Sequence, residues 1–150
     1  MSVLTDNIIS YIGTSTLPRR ELVTRRDLKK YAVATGQRLP KYLNGDEAPL
    51  LYHLTLFWDV VELNQLSIDG VSIDTLLPDF PLKKAMAGGV EMEYHQSIYP
   101  GDWLTATRTL TNIYEKMGSK GPLIFYEVTM EVVNDLGEKV ITEKTTRILR

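Results

Sequence analysis

The sequence predicts an α+β fold in which an antiparallel sheet wraps around one buried helix. Three observations carry that prediction: helical periodicity is confined to the first half, the period changes to two from Gly88 onward, and no repeat or composition shift marks a domain boundary. A chain of 150 residues is about one domain. At that size it is long enough to bury roughly 70% of the surface its unfolded form exposes. The expected organisation is therefore one domain over residues 1–150, with 1–21 as an amino-terminal extension.

The first predicted element is a short helix after Thr24. Thr24 precedes Arg25-Arg26-Asp27 in the manner of a capping box with the shorter acid, Leu28, Tyr31 and Ala32 fall on one face, and Gly36 ends the run. A polar loop with Pro40 follows. A second helix is predicted from Pro49 to about Gln65, because proline suits a first turn and Leu50, Leu54, Phe57, Trp58 and Val61 recur at helical spacing. Residues 67–84 carry Gly70, Pro78 and Pro81 among scattered hydrophobes and read as an irregular segment over the core.

From Gly88 the pattern alternates, with Val90, Met92 and Tyr94 set against Glu91, Glu93 and His95. Pro100-Gly101-Asp102 turns the chain into a strand from Trp103 to Lys116, which breaks at Gly118-Ser119-Lys120-Gly121-Pro122. Leu123 to Val133 forms the next strand, and Asn134 to Gly137 turns it into a last one, Lys139 to Leu149. Three of these strands are expected to form a meander. A sheet of that length needs one face covered, and the helix after Pro49 is the only element long and apolar enough to cover it.

Composition narrows the function. A formal net charge of −2 with interspersed signs leaves no footprint for nucleic acid or an anionic membrane. Cysteine is absent, which excludes disulfides, thiol nucleophiles and cysteine-ligated zinc. No apolar run approaches the roughly 20 residues needed to span a bilayer, and the amino terminus lacks a basic run before an apolar core, so a cytoplasmic location is expected. His53 and His95 lie far apart without an acid cluster at ligand spacing, so neither a metal nor another cofactor is predicted. Gly118 to Gly121 joins strands and does not lead into a helix, which sets it apart from a nucleotide loop; Lys116 and Lys120 read as solvated hairpin lysines.

Several residues have both a chemical and a structural reading. Asp59 or Glu62, on the predicted second helix, would be placed to activate water against an acyl thioester; the structural reading is a solvated or interface-facing acid. His53, flanked by Tyr52 and Leu54, is either packed and hydrogen-bonded or directed toward a partner's site. His95 reads as a surface or interface residue. Gly88-Gly89 suits close approach of a ligand or partner backbone, or else a bulge. The aromatic residues Tyr42, Tyr52, Phe57, Trp58, Tyr94 and Trp103 are mainly core and interface mass, with a minority facing an acyl ligand.

From about Leu22 to Arg150 the chain resembles the amino-terminal, FAS1-like half-domain of MaoC-like dehydratases and R-specific enoyl-CoA hydratases. The resemblance is carried by Thr24-Arg25-Arg26-Asp27-Leu28, Tyr31 to Gly36, Ala48-Pro49, Gly88-Gly89, Tyr99 to Asp102 and Tyr114 to Pro122, in that order and spacing. It implies a single hot-dog fold and two such units side by side, sharing a continuous sheet with a thioester bound near their interface. An active hydratase of that family follows the glycine equivalent to Gly36 with Asp, then Asn, Pro and His. Here the loop reads Gln37, Arg38, Leu39, Pro40, Lys41 and Tyr42, with neither carboxylate nor imidazole.

The resemblance therefore implies a noncatalytic, pocket-forming subunit of a heteromeric enoyl-CoA hydratase or 3-hydroxyacyl thioester dehydratase, inactive alone. Its partners would be a catalytically competent hot-dog subunit and an acyl-CoA or acyl carrier protein thioester, in a dimer or dimer of dimers. No catalytic residue is expected in this chain. The acyl-facing candidates are Tyr42, Tyr52, His53, Trp58, Gly88 and Gly89. A homomeric thioesterase using Asp59 or Glu62, and an acyl-binding module without enzymatic function, are the alternatives.

Overall fold

The period-two half of the sequence builds a five-stranded antiparallel sheet in the order β1-β3-β4-β5-β2. A computed structural model describes all residues 1–150. The strands are β1 (Arg19–Leu22), β2 (Ala85–Tyr94), β3 (Trp103–Gly118), β4 (Gly121–Asn134) and β5 (Lys139–Leu149). The expected meander is β3-β4-β5, with Gly118 paired to Gly121 across the hairpin. The helices are α1 (Asp6–Ile9), α2 (Arg25–Ala34), α3 (Pro40–Leu43) and α4 (Tyr52–Leu56), followed by a 3-10 turn at Leu63–Gln65.

Helix α2 is the one its sequence signals describe. The Thr24 hydroxyl accepts the Asp27 amide hydrogen at 3.2 Å, Leu28 and Ala32 are buried, and Gly36 follows the end with a φ of 69°. The predicted helix from Pro49 to about Gln65 is much shorter, only Tyr52–Leu56. Its end has a physical cause. The Arg19 guanidinium donates to the carbonyls of Phe57 (3.3 Å) and Trp58 (2.8 Å), the groups a continuing helix would offer to Val61 and Glu62. Asp59 closes this arrangement with a 2.9 Å ion pair to Arg19. Asp59 and Glu62 therefore stand outside any helix, contrary to expectation.

Residues 1–21, read as an extension, contribute to the sheet. Ile8 enters the core, and the chain runs along β3 through a bridge between Ser15 and Thr109 before entering β1. Hydrogen bonds from Gly13 to Leu110 and from Thr16 to Arg108, each 2.8 Å, and from Val3 to the Glu115 carboxylate at 3.0 Å cover that side of β3. The opposite side of the sheet ends in β2, a ten-residue strand hydrogen-bonded only to β5. Val90 and Tyr94 on β2 are exposed.

Gly88 forms a bulge, since pairing with β5 skips from Ala87 to Gly89. A Cβ at Gly88 would lie 3.0 Å from the Thr146 carbonyl oxygen and 3.1 Å from Ile148 Cγ1, whereas one at Gly89 would meet nothing within 4 Å. Gly88→Ala is expected to lower stability by about 1–3 kcal/mol, as overpacked sites do, and Gly89→Ala to be neutral or slightly stabilising. Urea titration of the two variants separates them.

The interior divides into two apolar clusters. One gathers Val23, Leu28, Tyr52, Phe57, Leu104, Val132 and Ile141 toward one end of the long strands; the other gathers Ile8, Leu76, Phe80, Leu110, Ile124 and Leu149 toward the other. A belt of inward polar side chains lies between them. With 25 of 150 residues buried, the core is small enough that much apolar surface stays open, including Trp58, Val60, Leu63, Ile68 and Ile73 along the segment after α4.

Candidate functional site

Helix α4 places its first two residues deep in the protein. Leu51, just before it, adopts a left-handed φ of 71°, unusual for a residue with a branched side chain. Neighbouring phenols hold this turn. Tyr31 donates to the Leu50 carbonyl at 3.2 Å, and the Leu51 amide donates to the Tyr94 hydroxyl oxygen at 3.3 Å. The turn buries Tyr52 and His53 together. Burial, and secondarily the nearby Asp27 charge, pushes the Tyr52 phenol up to about 12, so Tyr52 stays protonated.

His53 is fully buried and bonds through Nε2 to Glu143 Oε2 at 2.6 Å. Glu143 lies on β5, facing inward, and its other oxygen accepts the Thr145 hydroxyl at 3.1 Å. Burial alone would raise the Glu143 carboxyl, but the His53 hydrogen bond and charge, with Thr145 and Arg108, outweigh it and hold the group below its ordinary value. The second ring nitrogen, Nδ1, is buried and has no partner within the protein.

This pair stands in the wall between two cavities. The smaller, of about 190 Å³, is lined by Tyr42, Tyr52, His53, Tyr94 and Ile98 among others. The larger, of about 530 Å³, is lined by Trp58 and Asp59 from the segment after α4 and by Glu143, Thr145 and Arg147 from β5. Its volume falls in the range that accommodates small organic ligands. Arg108, on β3, makes a two-pronged pair with Asp74 across this cavity, at 3.3 and 2.6 Å.

Tyr42, Tyr52 and His53 thus meet around the smaller cavity, and Trp58 borders the larger one. Gly88 and Gly89 line neither, lying on the outermost strand. Gln37, half-buried beyond Gly36, reaches the Thr35 hydroxyl at 3.4 Å. The Lys41 ammonium sits 4.9 Å from the Tyr42 ring. His95 is a surface residue bonded to Thr142 at 3.0 Å. Asp59, besides its pair with Arg19, lies 3.5 Å from the Ser72 hydroxyl. No group of three or more His, Cys, Asp or Glu side chains is arranged to hold a metal ion. No helix is long and apolar enough to cross a membrane.

Glu143, Arg108 and Arg147 escaped the sequence reading. The signal for them was present: in β5 the inward series Ile141, Glu143, Thr145, Arg147 and Leu149 puts three polar residues in succession on the face meant for the core.

A five-stranded antiparallel sheet with little helix over its inner face is the hot-dog fold of the MaoC-like dehydratases and R-hydratases. The chain belongs to the FAS1-like dehydratase domain family, whose model matches residues 10–143. Among solved structures, the chain is similar to one from the ChsH1-ChsH2 complex of Mycobacterium tuberculosis, with 17% identity, coverage of 95% of this chain and 86% of that one, and a TM-score of 0.72. A MaoC-like dehydratase from Rhodospirillum rubrum matches at 17% identity, 92% and 91% coverage and a TM-score of 0.60. The HadBC (3R-hydroxyacyl-ACP dehydratase) complex of Mycobacterium tuberculosis supplies another match, at 18% identity, 92% and 96% coverage and a TM-score of 0.58. These identities establish a shared fold. No curated protein matches the chain at the sequence level.

Proposed function

We propose that this chain is the noncatalytic, substrate-pocket-forming subunit of a heteromeric enoyl-CoA hydratase or 3-hydroxyacyl thioester dehydratase. The observation that carries the reading is the loop from Gly36 to Tyr42. Its order of glycine, polar loop and proline resembles that of a hydration site, and Tyr42 borders a cavity, yet it offers Gln37, Leu39 and Tyr42 in place of an acid and an imidazole. Adding water across a conjugated thioester double bond requires a base to take a proton from water and an acid to return one to the α-carbon. The amide of Gln37 does neither, and a phenol is a poor base at neutral pH.

The proton-transferring groups then come from a second hot-dog subunit, while this chain supplies part of the acyl chamber for a coenzyme A or acyl carrier protein thioester. The open β2 strand supports such a partner, because its backbone groups and the exposed Val90 and Tyr94 are suited to continuing the sheet into a neighbour. Two of the similar structures are of two-component complexes, which agrees with this reading. The thioesterase alternative has less support, since Asp59 is held by Arg19 and Glu62 lies exposed at the start of the 3-10 turn.

Purified alone, the chain is expected to give no hydration of a trans-2-enoyl-CoA above background. Addition of a hot-dog partner with an intact Asp/His loop should produce activity and a mixed complex. Robust hydration by the isolated chain, followed at the loss of enoyl absorbance, overturns the assignment.

A further inference from the structure

We infer that the larger cavity selects thioesters whose acyl group ends in a carboxylate, seated on Arg147 and Tyr126. This rests on the acyl-chamber reading above and names the substrate class.

Most of the charged side chains around the larger cavity are paired. Three arginines line it. Arg19 is neutralised by Asp59 and Glu21, and Arg108 by Asp74. Glu143 is held by His53 and Thr145. Arg147 alone among the cavity's charged side chains has neither an ion pair nor a hydrogen bond within the protein.

Strand register puts a second donor beside it. Tyr126 on β4 is the direct cross-strand partner of Arg147 on β5, so both side chains leave the same face of the sheet. The Tyr126 ring is fixed by stacking on Phe80, with centroids 5.3 Å apart and planes at 16°. Its hydroxyl takes part in none of the side-chain hydrogen bonds around the cavity. Burial raises the phenol and the Arg147 charge only partly offsets it, so Tyr126 presents a proton to donate.

A guanidinium with an adjacent phenol, both unpartnered, is complementary to a group that only accepts hydrogen bonds. A carboxylate fits best, because its oxygens match the guanidinium fork and accept the phenol hydrogen. Val128 and Met130 on β4 provide apolar wall between this donor pair and the first apolar cluster, suited to the methylene portion of the chain. An acyl group with a plain methyl end would make neither of these bonds.

The test is calorimetric titration of the full chain with octanoyl-CoA and with suberyl-CoA, its analogue ending in a second carboxylate. Suberyl-CoA is expected to bind about tenfold tighter or more, the usual scale of one charge-assisted hydrogen-bonded pair. Arg147→Gln should remove that preference, bringing the two affinities together, and Tyr126→Phe should reduce it. Arg147 is exposed, so the variant should fold, with an unchanged melting temperature as the control. Equal binding of the two probes, or a preference that survives Arg147→Gln, overturns this inference while the acyl-chamber reading stands. Failure of either thioester to bind, whether to the chain alone or to its complex with the hot-dog partner, overturns both.

Discussion

Glu143→Ala is expected to lower stability by about 3–5 kcal/mol, the scale at which breaking a buried pair leaves one partner uncompensated. The size follows from His53, which is fully buried and already has an unsatisfied Nδ1; without the carboxylate, Nε2 loses its acceptor as well. Guanidinium chloride midpoints measure the loss. Glu143→Gln keeps an acceptor for the imidazole and should cost less. The pH dependence has a definite sign. Because Glu143 is held below its ordinary value in the folded protein, its contribution is fully present above the ordinary carboxylate range and is lost as pH falls through the lowered folded value. The wild-type protein should therefore lose stability on the acid side more steeply than Glu143→Gln. Identical acid limbs for the two proteins would contradict the assignment of an ionised Glu143.

Val90→Lys is expected to weaken association with a hot-dog partner by roughly a hundredfold, comparable to removing an interface hot spot. Val90 is 56% exposed on the outermost strand, so a lysine there costs the isolated fold little. At an interface formed by continuing the sheet, the same ammonium would be placed against the neighbour's strand without a partner, the means by which natural edge strands resist pairing. Light scattering of coexpressed chains reads the effect directly, with thermal unfolding of the isolated variant as the control for folding. An unchanged complex would remove β2 from the interface and weaken the proposal of a pocket-forming subunit built on it.

The contrast between what the sequence disclosed and what it concealed has a physical origin. Strands β2 to β5 were legible because half-buried strands impose a period of two along the chain itself, and the turns at Gly101 and Gly137 mark their limits with positive φ. Helix α2 was legible because its cap, face and terminating glycine are all local. The truncation of α4 was not, since it depends on Arg19 reaching the carbonyls of residues 57 and 58 from a segment remote in sequence. Strand β1, four residues without alternation, leaves almost no pattern.

The site divides in the same way. Tyr42, Tyr52 and His53 could be named as pocket residues because they lie on the loop after Gly36 and at the start of the helix that follows Pro49. The carboxylate that fixes His53 is 90 residues away and becomes visible only when the strands are in register. Its trace in the sequence is a parity violation, three polar side chains where β5 should be apolar.

The unequal ends of the sheet carry a consequence for how far assembly can proceed. A sheet with two receptive ends adds subunits head to tail without limit and makes filaments. Here the segment before Arg19 and the four-residue β1 occupy the β3 flank, while β2 presents ten residues at the other end. Each chain therefore offers a single docking end, and one strand-to-strand addition consumes it. If β2 is the strand that docks, as proposed, growth along the sheet would stop at a pair, and any larger particle would form through a different surface, for which the apolar residues after α4 are available.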